Sequence, residues 1–259
     1  MSEQNISYDA IKDLPASAWK KLSQKKICFG HQSVGMNIID GIKDLMKEYP
    51  KIKLNIIETD DISEVNTSAF AHFWVGENAN PQSKLDNFTN LMIERKIDRA
   101  DIAFFKFCYI DINRKTNIQE VFNKYKANIS LLKKEFPKIT FVHLTIPLTS
   151  KPSGVQRLIK KVKNYVKKFL GRPVFNYYDN IKRNLINEML KKEYDGKDPI
   201  FDLAKIESTK PDGSRESFIK DGKDYYSLIE EYTNDGGHLN VLGRRKVAEQ
   251  FLLLLANIS

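Results

Sequence analysis

Cysteine is scarce in this chain. Of its 259 residues only Cys28 and Cys108 carry a thiol, and each lies in an apolar run that reads as a buried strand, so both are expected to be core thiols. Two such residues make neither a disulfide framework nor a zinc site. Long apolar runs are missing too: the longest, Phe251 to Ala256, belongs to a terminal helix and is far too short to cross a bilayer. Met1-Ser2-Glu3-Gln4-Asn5 has neither the basic start nor the apolar stretch of a secretion signal. These absences predict a cytoplasmic protein. No internal repeat and no low-complexity linker divides the chain, so one domain spanning 1–259 is the economical reading.

Negative charge is also in short supply. Lysine and arginine number 42 against 33 aspartates and glutamates, a net charge of +9. Such a balance favours anionic partners and is silent about fold. The deficit is sharpest in residues 151–172, which hold Lys151, Arg157, Lys160, Lys161, Lys163, Lys167, Lys168 and Arg172 and no acid. Leu158, Ile159, Val162, Val166, Phe169 and Leu170 give that stretch an apolar face at helical spacing. It reads as a basic helical insertion with three uses: a solvated cover for the sheet, a helix resting on an anionic membrane surface, or a patch that steers an acidic glycan. The second would make the protein peripheral to a membrane. Nucleic acid is the poorer partner, because no recognition motif accompanies the charge.

What is present is the pattern of an α/β protein. A hydrophobic share of 41% with 29% charged residues suits a soluble chain with a packed core. Lys26 to Phe29 reads as a buried strand, Ser33 to Tyr49 as a helix closed by Pro50, and Leu54 to Ile57 as a second strand, the opening unit of a parallel sheet. Further strands are expected at Ile102–Cys108, Thr140–Thr145 and Ile200–Leu203, about five in all. Helices are expected over 16–22, after Pro81, around Val121–Leu132, over 180–192 and over 241–255. Residues 58–81 read as a long polar and aromatic loop, a length usually reserved for function, and 207–232 as mostly loop.

The chemistry concentrates in two places. Asp235-Gly236-Gly237-His238 sets an acid and an imidazole three positions apart, with two glycines that let the carboxylate fold back onto the ring. That fixes the tautomer and leaves the far nitrogen to take a proton from a nucleophile. Ser33, roughly 200 residues upstream, follows the first strand and opens a helix. Open α/β sheets place their sites at that end of the strands, and a helix N-terminus offers unpaired N–H groups. The plainer reading makes Ser33 an N-cap and Asp235 to Asn240 a polar turn before a helix. His31 is an alternative titrating group, although no carboxylate lies near it in sequence.

These residues resemble those of the SGNH, or GDSL-type, hydrolase superfamily. Asp235-Gly236-Gly237-His238-Leu239-Asn240, with Gly243 beyond, is similar to that family's last block, and Gly30 to Ser33 to its first, with Gly-His-Gln-Ser replacing the usual Gly-Asp-Ser. The resemblance implies a flavodoxin-like α/β/α sandwich with a mainly parallel sheet, and a triad of Ser33, Asp235 and His238 with no metal or organic cofactor. It implies that the Ser33 and Gly76 N–H groups hold the oxyanion. The family's Gly-x-Asn-Asp block is not kept: the central strand runs Lys106-Phe107-Cys108-Tyr109-Ile110-Asp111. Losing one such donor costs ~2.7–4 kcal/mol of transition-state stabilisation, so a substitute is expected in Asn78, with Lys106 second. Lys106, inside an apolar strand, would otherwise hold an anionic substrate group or pair with Asp111 or Asp202.

The expected activity is hydrolysis of a carboxylic ester on a small molecule or glycan. The aromatic loop around Trp74 suits a sugar, and acetyl or short acyl groups are the substrates the resemblance implies. His31, Trp74 and Lys106 are the expected substrate contacts. Two alternatives stay open: a glycan O-acyltransferase using the same triad, and a non-catalytic glycan- or membrane-binding module on the same fold.

Overall fold

The computed structural model describes residues 10–59, 61, 67–95, 100–151 and 176–259. At its centre lie five strands, all parallel: β1 Lys26–His31, β2 Ile56–Glu58, β3 Ala69–Trp74, β4 Ile102–Phe105 and β5 Thr140–Phe141, in the order β2-β3-β1-β4-β5. The chain keeps its pairing past β5, with the Val142 N–H on Ala103 O at 3.1 Å. It then enters β6, His143–Leu144, which pairs in parallel with β7, Ile200–Phe201. Helices cover both faces, giving the expected three-layer α/β/α sandwich.

Side-chain alternation along β1 shows why both faces need covering. Ile27 and Phe29 face the core formed with α1 Ala16–Ser23, α2 Val34–Glu48 and the terminal helix. Cys28 faces the other core, built from α3 Pro81–Glu94, α4 Ile118–Glu135 and α5 Tyr177–Tyr194. A short α6, Leu203–Ser208, follows β7, and α7, Val241–Asn257, closes the fold. Phe251 on α7 packs on Phe29, Phe104 and Phe201 with ring centroids 6.1, 5.3 and 4.8 Å away, joining the terminal helix to three strands. Asparagine caps do the local work at the helix starts: Asn80, Asn117 and Asn240 accept the N–H groups of Ser83, Glu120 and Gly243.

Three expectations need correction. The stretch 58–81 is not a continuous loop, because Ala69–Trp74 forms β3 beside β1. Its Ala-Phe-Ala-His-Phe-Trp sequence has small residues where apolar bulk is the usual signal, and it is buried on both faces up to Phe73. β4 ends at Phe105 rather than Cys108, and residues 109–111 turn away as a 3-10 helix. Within 207–232, β8 Ser217–Lys220 and β9 Lys223–Tyr226 form an antiparallel hairpin. The basic stretch 151–172 lies, apart from Lys151, outside the described residues. Among the described residues no helix is long and apolar enough to cross a membrane.

α2 and α7 cross closely at Gly41. A Cβ at Gly41 would stand 2.4 Å from Arg244 O and 2.8 Å from the Ala248 Cβ, so only glycine allows the approach. Arg244 reinforces it with an ion pair to Asp44 at 2.6 Å. Gly41→Val should therefore destabilise the fold by about 1–3 kcal/mol, as overpacking does, read as a lowered urea midpoint with an unchanged slope.

Candidate active site

Three strand ends converge where the site forms. The Val75 N–H reaches His31 O at 3.2 Å and the Lys106 N–H reaches Gly30 O at 3.1 Å, so the chains leaving β3 and β4 flank the chain leaving β1. Ser33 follows two residues after β1, at the N-cap position of α2, with φ 49° and ψ −101°. A positive φ is costly for a residue with a Cβ. Ser33 does not cap the helix: its side chain accepts no N–H from α2. Its Oγ lies 2.6 Å from His238 Nε2 instead.

The second half of the site comes from the turn before α7. His238 Nδ1 is 2.6 Å from Asp235 Oδ2, while Asp235 Oδ1 accepts the backbone N–H groups of Gly237 and His238 at 2.9 and 2.8 Å. Partial burial alone would raise the Asp235 carboxyl. The hydrogen bonds from the His238 ring and from the two backbone groups outweigh it and hold the group well below the usual carboxylate range. Gly236, at φ 95°, makes the turn, and Gly237 is glycine because a Cβ there would meet the Tyr109 ring at 2.7 Å. Tyr109 in turn packs edge-on against the His238 ring at 5.6 Å. The His238 and Asp235 side chains stay open to solvent, at 42% and 50%.

Several residues that sequence reasoning did not single out hold this geometry. Asn37, on the first turns of α2, accepts the Leu239 N–H at 3.1 Å and so ties the helix that follows Ser33 to the turn that carries His238. Ser150 donates its N–H to Gly236 O at 2.9 Å. The Gln32 side-chain amide donates to Val75 O at 2.9 Å and also to Gly76 O, fixing the loop after β3 beside Ser33. Gln32 was legible as the neighbour of Ser33; Asn37 and Ser150 carry no local signal.

The remaining expected site residues are placed differently. The Gly76 N–H donates to Asn87 Oδ1 at 3.1 Å, so it is already committed and not open to an oxyanion. Asn78 sits exposed in the same loop, its Oδ1 accepting from Lys84 Nζ at 3.0 Å. Lys106 is buried and pairs with neither Asp111 nor Asp202: its Nζ donates to Phe107 O at 3.1 Å and lies 3.4 Å from Cys108 Sγ. Burial lowers its pKa. The partner of Asp111 is Lys84, at 2.6 Å. Trp74 is the exposed aromatic of the set, its indole N–H held by Glu58 Oε1 at 2.8 Å.

His31 is a correction on two counts. It is fully buried rather than facing a substrate, with Nε2 3.1 Å from His72 Nδ1. Burial first, then the charge of Lys106 and the presence of His72, push its pKa down to about 3, so it is neutral near pH 7 and is no proton acceptor there. Because the unfolded chain takes up this proton first, from about its ordinary 6.5, the stability His31 contributes is full above that pH and drains away as pH falls toward 3. His31→Gln should flatten that part of the acid decline, measured by urea unfolding at a series of pH values. A second prediction concerns strain: Ser33→Gly should stabilise the fold by about 1 kcal/mol, because glycine tolerates the positive φ, while Ser33→Ala should not. Chemical denaturation separates the two.

No protein-family model and no curated protein matches the chain. Solved structures do resemble it. One described as a GDSL-like lipase from Parabacteroides merdae is 11% identical with a TM-score of 0.48, covering 92% of this chain and 97% of that one. An acetyl esterase variant with acetate bound is 12% identical at 0.46, covering 90% and 98%. The periplasmic domain of a lipopolysaccharide acetyltransferase from Salmonella ser. Paratyphi A is 13% identical at 0.45, covering 90% and 86%. What this chain can do is set by its own geometry.

Proposed function

We propose that the protein is a serine-dependent hydrolase of carboxylic esters. The observation that carries this reading is the hydrogen-bonded series Asp235 Oδ2 to His238 Nδ1 and His238 Nε2 to Ser33 Oγ, each contact 2.6 Å long. An ionised carboxylate on Nδ1 keeps the proton there and leaves Nε2 basic toward the serine. Ser33 Oγ attacks the acyl carbon as its proton passes to Nε2. The imidazolium so formed is stabilised by Asp235, then gives that proton to the departing alcohol oxygen. Water, deprotonated by the same nitrogen, attacks the acyl-enzyme and releases the acid. The Ser33 N–H, for which the described residues supply no acceptor, is the first donor to the oxyanion.

The substrate reading is an acetyl or short acyl ester on a carbohydrate. It is supported by Trp74, an exposed indole at the end of β3 whose N–H is fixed by Glu58. A ring held in one orientation presents a flat apolar face on which a sugar can stack. The half-exposed triad also admits a second acceptor, since a sugar hydroxyl can take the place of water and leave with the acyl group. Product analysis with an acyl donor and a glycan acceptor distinguishes hydrolysis from transfer.

The test is direct. Purified protein should hydrolyse a short-chain chromogenic ester, and Ser33→Ala should lower the rate by about 10³-fold or more while keeping its circular dichroism spectrum and urea midpoint near the parent's. Equal rates for the two proteins would leave a binding module as the surviving reading.

A further inference from the structure

Trp74 ends β3 and is 52% exposed, where every other residue of that strand is buried. Its indole is nonetheless fixed. The Nε1–H donates to Glu58 Oε1 at 2.8 Å, and the His31 ring stands against it with centroids 5.5 Å apart. Strand register puts the ring beside Ser33. Trp74 pairs with His31 across β3 and β1, and the Val75 N–H reaches His31 O at 3.2 Å. Ser33 follows two residues after His31, and Gln32 between them binds Val75 O at 2.9 Å. A molecule lying on the indole is thus about one strand spacing, ~5 Å, to the side of the chain that carries Ser33.

Glu58 gives the border of that ring its chemistry. It ends β2 opposite His72 and is exposed. One carboxylate oxygen is taken by the indole N–H, and Oε2 is bonded to none of the described residues. An ionised carboxylate only accepts, so a ligand on the ring must offer hydrogen-bond donors here and must not bring a second carboxylate. Lys43 and Asp40, on α2, are the other charges that act on neighbouring His72, and they oppose one another. Glu58 therefore sets the sign. The border is negative, although the chain as a whole carries +9.

We infer that Glu58 determines specificity: it accepts hydroxyl hydrogens from a neutral pyranose stacked on Trp74 and turns uronic acids away. The inference rests on the ester-hydrolysis reading above, in which this sugar is the alcohol part of the substrate. A pyranose matches both features of the site. Its C–H groups form a flat apolar face for the indole, and its hydroxyls project around the ring edge that Glu58 borders. A uronic acid keeps the apolar face but places a carboxylate on that edge, where two like charges repel. An acidic glycan, the partner expected from the basic stretch, is therefore a poor fit beside Ser33.

The experiment reads binding without turnover. Trp19 is buried at 2% exposure, so of the chain's two tryptophans only Trp74 can meet an added sugar. In the Ser33→Ala protein its fluorescence is followed against the methyl glycosides of glucose, galactose and mannose, each paired with that of its uronic acid. A neutral glycoside should shift the emission and bind about 10-fold or more tightly than its acidic counterpart. Glu58→Gln keeps a carbonyl for the indole N–H and removes the charge. It should weaken the neutral glycoside by about 10-fold and close the gap with the uronic acid, and Trp74→Phe should abolish the emission change. No shift with any neutral glycoside, uronic acids bound as tightly, unchanged affinities in Glu58→Gln, or a shift that survives Trp74→Phe would overturn the inference. A Ser33→Ala protein as active as the parent on a chromogenic ester would instead overturn the reading beneath it, whatever the emission shows.

Discussion

Ser33 and His238 stand 205 positions apart in the chain, and the tight crossing of α2 on α7 holds them in contact. Each residue sits just ahead of the first turn of one of those helices, so any change in how the helices approach is carried straight to the 2.6 Å contact. Gly41 sets the separation by offering no Cβ to Arg244 O, and Asn37 sets the register by accepting the Leu239 N–H. A parallel sheet supplies the remaining constraint. Its strands all end on the same rim, and so the Ser33 turn, the exposed Trp74 ring and the Asp111 loop meet there.

The Asp235–His238 contact was legible because its information is local. Asp235 to His238 encodes its own geometry in four residues, with glycine where a Cβ would strike Tyr109, and Ser33 is marked by the strand-to-helix switch around it. The alternation of strands and helices along much of the chain followed from hydrophobic periodicity. β3 escaped because Ala69 and Ala71 replace the bulk that makes a strand visible, and because Trp74 looked like a site residue rather than a sheet residue. Burial of β3 is imposed by β1 and β2 on either side, and a window of six residues does not contain that fact.

Charge pairing was the least legible feature. Lys106 looked like the natural partner of Asp111 because the two share one segment, yet Asp111 turns toward α3 and takes Lys84, 27 positions away. Lys84 reads from sequence as one more polar residue on a helix. Lys106, left without a carboxylate, settles for a carbonyl and a thiol, and burial moves its pKa down in consequence. The Gly76 N–H illustrates the same limit at the level of one hydrogen bond: whether it is open to an oxyanion depends on Asn87, a helix residue with no sequence signature of its own.

The histidine turn depends on a second polar layer, farther from the chemistry. After β6 the chain from Ile146 to Ser150 has no strand partner along most of its length, so its N–H and C=O groups must be satisfied by side chains. A buried polar row on α5 does this. Asn187 binds Ile146 through both N–H and C=O, Asn180 does the same for Thr149, and Arg183 bridges Thr149 to the carbonyls of Tyr109 and Ile112. Glu207 accepts the Leu148 N–H; burial pushes its carboxyl up to about 8, so at neutral pH it fills the role largely as an uncharged acid and avoids leaving a bare anion in the core. Ser150, delivered by this segment, then holds Gly236 O. The row at 180, 183, 184 and 187 repeats at the spacing of a helix face. A polar face at that spacing marks a solvated surface in most chains, whereas here it is buried and does for an irregular segment what a neighbouring strand does for a regular one.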